Sequence, residues 1–279
     1  MKTTLLFLSV FLSANLFGQN VYIPDAGFKA YLVGNSDINT NGDSEIQVSE
    51  ATAFDGGISC VNANISDLTG IEAFTSLWYL NCNANQLTSL DLSQNTALIH
   101  LEFVGNQLSG LDLSQNTALE WLYCYGNSLT SLDLSQNIAL IELDCWDNQF
   151  TSLDVSQNIA LEYLWCEDNL LLTCLNVANG NNINMQSFTA YNIPNLNCIE
   201  VDDAEWSTAN WINIDPQTSF SEDCDDDCDD PTIGINELTT IKNLIQILDL
   251  MGRETSFKPN TPLIYVYDDG SKEKVFSVE

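Results

Sequence analysis

The sequence predicts an α/β solenoid, with a parallel β-sheet on its concave face, helical caps at both ends and a small all-β domain after it. Three observations predict this. A 21-residue unit recurs as LTSLDLSQNTAL (87–98), LSGLDLSQNTAL (108–119), LTSLDLSQNIAL (129–140) and FTSLDVSQNIAL (150–161). Within each unit apolar residues alternate with polar or aromatic ones, the period of a strand. The segments on either side of the repeats lose the unit and gain helix-like apolar spacing. One coil of this length cannot bury its apolar face alone, so copies must stack, their short strands about 4.8 Å apart.

The first element is a signal peptide over 1–19: Lys2, then a mostly apolar run from Leu5 to Leu12, then small residues at Ala14 and Gly18. That run is too short to span a bilayer, and no other membrane segment is read. An N-terminal cap follows over 20–57. In IPDAGFKAYLV (23–33), Phe28, Tyr31 and Leu32 have helical spacing. In NTNGDSEIQVSE (39–50), oxygen-bearing residues fall at the first, third and fifth places, Asn39, Asn41 and Asp43, and Glu50 stands at the twelfth. This resembles an EF-hand calcium loop. The resemblance implies a structural Ca2+ held by Asn39, Asn41, Asp43, the Glu45 carbonyl and Glu50. Ser44 replaces the usual glycine and Asn39 the usual aspartate. The alternative is a polar turn joining two cap helices.

The repeats span 58–200. Leu77, Leu98, Leu119, Leu140 and Leu161 align, as do Leu80, Leu101, Leu122, Leu143 and Leu164. Asn85, Asn106, Asn127, Asn148 and Asn169 form a third column, expected to satisfy backbone groups where the chain leaves the strand. The unit L-x-x-L-x-(C/F)-x-x-N-x-L resembles the leucine-rich repeat. An earlier coil at 58–77 fits it, and a later one around MQSFTAYN (185–192) is degenerate. Leu122 and Cys124 then point inward. Cys82, Cys124, Cys145 and Cys166 share a core column with Phe103, Cys60 joins them, and all five are expected as reduced packing thiols rather than metal ligands.

The same alternation places Tyr79, Asn81, Asn83, His100, Glu102, Val104, Trp121, Tyr123, Tyr125, Glu142, Asp144, Trp146, Tyr163, Trp165 and Glu167 on the concave face. Ring-bearing and acidic residues cluster there. The candidate ligand-binding residues are Tyr79, His100, Trp121, Tyr123, Tyr125, Asp144, Trp146, Tyr163 and Trp165. Exposed aromatic clusters mark contact surfaces; the competing reading is cross-strand packing that only stabilises the sheet. His100 has Glu102 beside it but no nucleophile or metal-ligand set, so it reads as a surface histidine. Asp91, Asp112, Asp133 and Asp154 stack at the repeat interval. Their mutual repulsion is expected to raise the pKa of some; turn capping and cation binding are the two readings of the column.

VDDAEWSTANWINID (201–215) reads as a closing helix in a C-terminal cap over 201–224, with Trp206 and Trp211 covering the last coil. Cys174, Cys198, Cys224 and Cys228 lie outside the core column. Among them Cys198–Cys224 is the preferred disulfide and Cys174–Cys198 the alternative. An acidic linker spans 225–234. Beyond it, over 235–279, LIQILDLMGRE and PLIYVYDDGSKEKVFSVE read as short strands, with a hairpin turn at Asp269-Gly270. LDLMGRE and LIYVYDDGSKEKVF resemble the type A C-terminal sorting domain of the type IX secretion system of Bacteroidetes, without its upstream Pro-Asn-Pro element. The resemblance implies export across the outer membrane by that machinery, then release or surface attachment.

The net charge is −32, and from Tyr31 to Ile241 there is no Lys or Arg. Such a chain repels nucleic acid and anionic membrane. With 45% hydrophobic residues it is not a disordered acidic tail. The reading is a secreted or cell-surface binding module for a protein or glycan, not an enzyme. The alternatives are a glycan-directed enzyme or enzyme accessory, and a passive structural surface protein.

Overall fold

The computed structural model describes residues 18–224, 244–248, 253, 255, 263–267 and 272–275. The signal-peptide reading, apart from its last two residues, lies outside them, as do the 225–234 linker and the Asp269-Gly270 turn. The chain divides into two compact units, Met1–Pro231 and Thr232–Glu279.

The larger unit opens with helix α1 (Ala26–Gly34), started by Asp25, whose carboxylate accepts from Gly27 N and Phe28 N. Such N-caps satisfy N–H groups the helix leaves free. Phe28 and Leu32 are fully buried, closing the first coil from above. Helix α2 (Val48–Ala53) is held by a reciprocal capping box between Gln47 and Glu50. The 39–50 stretch lies between them and runs into the first turn of α2.

Strands β1 (Gly57–Ser59), β2 (Tyr79–Asn81), β3 (His100–Glu102), β4 (Trp121–Tyr123) and β5 (Glu142–Asp144) follow, one per coil. Then come β6 (Ser152–Asp154), β7 (Tyr163–Trp165), β8 (Cys174–Asn176), β9 (Ser187–Thr189), β10 (Cys198–Glu200) and β11 (Ser219–Ser221). A seven-stranded parallel sheet runs β1-β2-β3-β4-β5-β7-β9. Its register stacks like on like: Leu80 pairs with Leu101, Leu101 with Leu122, Leu122 with Leu143, and Leu143 with Leu164. The degenerate 185–192 coil joins in full register, with Phe188 beside Leu164. The leucines of this column and of the Leu77 column are fully buried, each contributing about 2 kcal/mol by transfer from water.

A second parallel sheet, β6-β8-β10-β11, was not read from sequence. It forms where the S-L-D segment of the last full repeat finds later coils in register, Leu153 beside Leu175 and Leu175 beside Ile199.

Two asparagine columns thread the coils. In the expected one, Asn106 Nδ2 donates to Cys82 O at 3.1 Å and Phe103 O at 2.9 Å, while its Oδ1 accepts from Leu87 N at 3.0 Å. Asn95, Asn116, Asn137 and Asn158 form the other and are fully buried. Asn116 Nδ2 donates to Leu92 O and Asn95 O, and Asn137 repeats this one coil on. Each amide thus ties its coil to the one before.

The five column cysteines, Cys60 included, are buried and free. Burial pushes the Cys60 thiol up to about 12 and raises the other four thiols too. Cys198 pairs with Cys224, so the Cys198–Cys174 alternative does not form; Cys174 is disulfide-bonded as well.

The closing helix is shorter than the expected 201–215. Helix α3 covers Ala204–Asn210, capped by Asp203. Beyond Trp211 the chain returns to the sheet edge, where Ala190 bridges Ile214 and Ala190 N donates to Asn213 O, a pairing incompatible with helix. Trp211 stacks on Phe188 at 4.3 Å and Trp206 meets Trp211 edge-on at 5.8 Å, so both tryptophans do cover the last coil. The smaller unit contains a three-stranded antiparallel sheet, β12 (Leu244–Leu248), β13 (Leu263–Tyr267) and β14 (Lys272–Val275). Among the described residues no helix is long and apolar enough to cross a membrane.

Candidate functional site

Period-2 alternation on three-residue strands puts two rows of side chains on the open sheet face, and the residue two places beyond each strand adds a third. The first row holds Tyr79, His100, Trp121, Glu142 and Tyr163, in register across β2 to β7. The His100 ring lies 5.0 Å from Tyr79, 5.8 Å from Trp121 and 5.2 Å from Tyr123. Its Nε2 is 3.1 Å from Glu102 Oε1, an ion pair when the ring is protonated. Glu102 also accepts from Tyr79 Oη, Asn81 Nδ2 and Asn83 Nδ2.

The second and third rows, with Glu142 of the first, surround a depression of about 440 Å3, lined by Asn83, Glu102, Val104, Tyr123, Tyr125, Glu142, Asp144, Trp146, Trp165 and Glu167. Five candidate residues meet there: Tyr123, Tyr125, Asp144, Trp146 and Trp165. Tyr79, His100, Trp121 and Tyr163 stay in the first row, outside the lining. Glu102, Glu142 and Glu167, which are not among the candidate residues, occupy the same columns and line the same depression. The rings are half-buried rather than open to solvent, because they pack on one another. Tyr125 stacks on Trp146 with ring centres 4.7 Å apart and planes 15° from parallel.

The acids here are unequal. Glu142 accepts from Tyr123 Oη at 2.8 Å. Burial, with the bond to Glu142 and the surrounding carboxylates, pushes the Tyr123 phenol well above its usual range. Glu167 accepts from Thr189 Oγ1. Asp144 has a buried Oδ1 that no hydrogen bond reaches. Burial, then the charges of Glu167 and Glu142, push its carboxyl up to about 7, against a bond from Trp146 N.

The aspartate column behaves otherwise than expected. Asp91, Asp112, Asp133 and Asp154 each accept the backbone N–H two residues on, from Ser93, Ser114, Ser135 and Ser156. Those bonds hold Asp91, Asp112 and Asp133 below the usual carboxylate range, not above it, because in solvent they outweigh the mutual repulsion. The column caps turns.

The five 39–50 residues share one loop closed by its own amides. Asn39 Oδ1 accepts from Gly42 N, Asn41 Oδ1 from Asp43 N and Asp43 Oδ1 from Glu45 N. The Glu50 carboxylate accepts from Thr40 N, Thr40 Oγ1, Asn41 N and Gln47 N. Burial alone would raise its pKa; these bonds prevail and hold it below the usual glutamate range. Glu45 turns to Lys29, 2.7 Å away. Among the described residues no three or more His, Cys, Asp or Glu side chains form a group that could hold a metal ion.

The comparisons with known proteins agree with this architecture. No family model matches the chain. Over 78 residues it is 40% identical to Internalin J of Listeria monocytogenes serotype 4b, a stretch covering 28% of this chain and 8% of that protein. In structure it is similar to the functional domain of InlJ from Listeria monocytogenes, which includes a cysteine ladder. The TM-score is 0.56 at 30% identity, over 73% of this chain and 48% of that one. The chain has the leucine-rich-repeat fold. This chain has its own stacked column of buried, free cysteines, Cys60, Cys82, Cys124, Cys145 and Cys166, interrupted by Phe103. A Leptospira interrogans LRR protein is also similar, at TM-score 0.35 and 16% identity over 56% of this chain and 57% of that one. The chain spans under half of the solved InlJ domain and a small part of Internalin J.

Proposed function

We propose that this chain is a secreted or cell-surface binding module that holds a protein partner against the open face of its seven-stranded sheet. The observation that carries the reading is the depression walled by Tyr123, Tyr125, Trp146 and Trp165, with carboxylates between the rings. Large amphipathic rings around a partly desolvated centre are what binding hot spots consist of. Likeness to an internalin domain supports a protein partner. The Tyr125–Trp146 stack favours protein over glycan, since each ring has already spent one face on its neighbour.

The test probes an array of extracellular protein domains and a glycan array with the purified chain and with a Trp121→Ala/Tyr125→Ala/Trp146→Ala variant. Protein spots bound by the wild type and lost in the variant are expected, with the variant's melting temperature lowered only by the cross-strand packing it gives up, roughly 0.2–1 kcal/mol per pair. Signal confined to glycans, or protein capture unchanged by the variant, contradicts the reading.

For the smaller unit we propose the sorting role in type IX secretion. Its LDLMGRE and LIYVYDDGSKEKVF motifs support this, as do its three antiparallel strands.

A further inference from the structure

The acidic half of the sheet face carries no Lys or Arg; His100, beside Glu102, is the side chain there that can take a positive charge, and only when its ring is protonated. Glu102, Glu142, Asp144 and Glu167 all line one depression. From Tyr31 to Ile241 the sequence supplies no Lys or Arg, and Lys29 is engaged with Glu45 in the cap. Elsewhere in the larger unit several carboxylates accept from backbone N–H groups, as the turn-capping aspartates do. In the depression, Glu102 is met by Tyr79, Asn81, Asn83 and His100, while Glu142 and Glu167 find neutral partners in Tyr123 and Thr189. Asp144 is the exception, since a buried oxygen is left with no donor. Neutral atoms are left so as well, among them Oδ1 of Asn95, Asn116, Asn137 and Asn158, but among the described residues Asp144 is the carboxylate in that state, and a charged group left bare costs more than a neutral one. Asp144 sits on β5, flanked by Tyr123 of β4 and Trp165 of β7, with Trp146 two residues on.

Building on the protein-binding reading above, we infer that the depression takes the cationic head of a lysine or arginine side chain presented by the partner, with its charge on the Asp144 carboxylate and its flank on the Tyr125–Trp146 pair. Charge complementarity selects this occupant. Four like charges around one hollow repel, and an incoming cation relieves all of them while donating to the oxygen the protein leaves bare. The aromatic wall serves the same guest, because ring faces attract a desolvated cation and accept its aliphatic stem. At about 440 Å3 the hollow falls in the range of roughly 300–1,000 Å3 that holds small ligands. The upward pKa shift of Asp144 agrees: its ionised form lacks a compensating charge within the protein.

A displayed library of random linear peptides, panned on the whole purified chain, tests this. Enriched clones are then made as synthetic peptides and titrated by tryptophan fluorescence. Enriched sequences are expected to share a Lys or Arg. Replacing it by glutamine or citrulline weakens binding to the wild type at least tenfold and leaves binding to an Asp144→Asn variant nearly unchanged, since the interaction is already lost there. Peptides that bind without a basic residue, yet are lost in Trp146→Ala, overturn the inference and leave the protein-binding reading intact. Peptides bound equally by wild type and Trp146→Ala, or no enrichment at all, overturn both. Trp146→Phe, which keeps a ring and shortens the wall, takes its place should Trp146→Ala fail to fold.

Discussion

Asp144 shows how burial among like charges makes one carboxylate costly to the fold. Its folded pKa is about 7 against 3.8 for an unperturbed aspartate. The folded chain therefore holds the proton more tightly than the unfolded one, and the sign follows. The stability associated with this group is fully present below about pH 4, falls as pH rises from there through 7, and is then absent. Asp144→Asn, which imitates the protonated form, is expected to stabilise the chain at pH 8 by about 1–2 kcal/mol after discounting for solvent that still reaches the carboxyl. That corresponds to a melting temperature about 2–6 °C higher by calorimetry, with no gain at pH 4. Loss of stability at pH 8 would show that the carboxylate is satisfied in the native state. Glu50 has the opposite sign: its lowered pKa favours the fold above the ordinary glutamate value of 4.5, and that contribution disappears on acidification through its folded pKa. At this scale the sequence was informative about side-chain direction. It said nothing of which acid would lack a partner, because that depends on Thr189 and Tyr123 reaching across from other coils.

Each coil must turn sharply as it leaves its strand, and the turning residue is left-handed in coil after coil: Ala84, Gly105, Gly126, Asp147 and Asp168 have φ between 51° and 66°. Glycine and aspartate tolerate this conformation. Alanine does not, at a cost of about 1–2 kcal/mol. Ala84→Gly is therefore expected to raise stability by about 1 kcal/mol, or roughly 2–4 °C in melting temperature, less what the flexible glycine gains in the unfolded chain. A fall in melting temperature would mean that the Ala84 methyl packs usefully. The turn column was legible in principle, since Gly and Asp recur one place before the Asn85 column. The Asn95 column was equally regular, yet an asparagine inside S-Q-N reads as a loop residue until the carbonyls it meets, such as Leu92 O and Asn95 O for Asn116, are seen. The second sheet is hidden in the sequence for a similar reason. Three-residue strands carry too little alternation to separate β6 from a turn, and pairing with β8 decides the matter. The early end of α3 was hidden too, because Trp211 and Ile214 continue a helical spacing while their backbone returns to the sheet.

At the scale of the molecule, the repeat made the fold readable and left the function obscure. Stacked coils need only leucine columns and asparagine ties, both of which recur every 21 residues. The residues of the proposed contact face, such as Trp121, Tyr125, Asp144 and Trp146, break the repeat, and a single sequence gives those no common pattern. The acidity of the larger unit adds a long-range attraction for basic partners that salt screens. The central claim is that the ring-lined sheet face is the contact surface. Hydroxyl-radical footprinting, with and without the protein returned by the extracellular-domain array, tests it most directly. The labelling rates of Trp121, Tyr125, Trp146 and Trp165 are expected to fall several-fold in the complex, while Tyr22, Ile138 and Ile159, exposed elsewhere at 76%, 55% and 61%, keep theirs. Unchanged rates at the four rings, with protection at Ile138 and Ile159 instead, would contradict it.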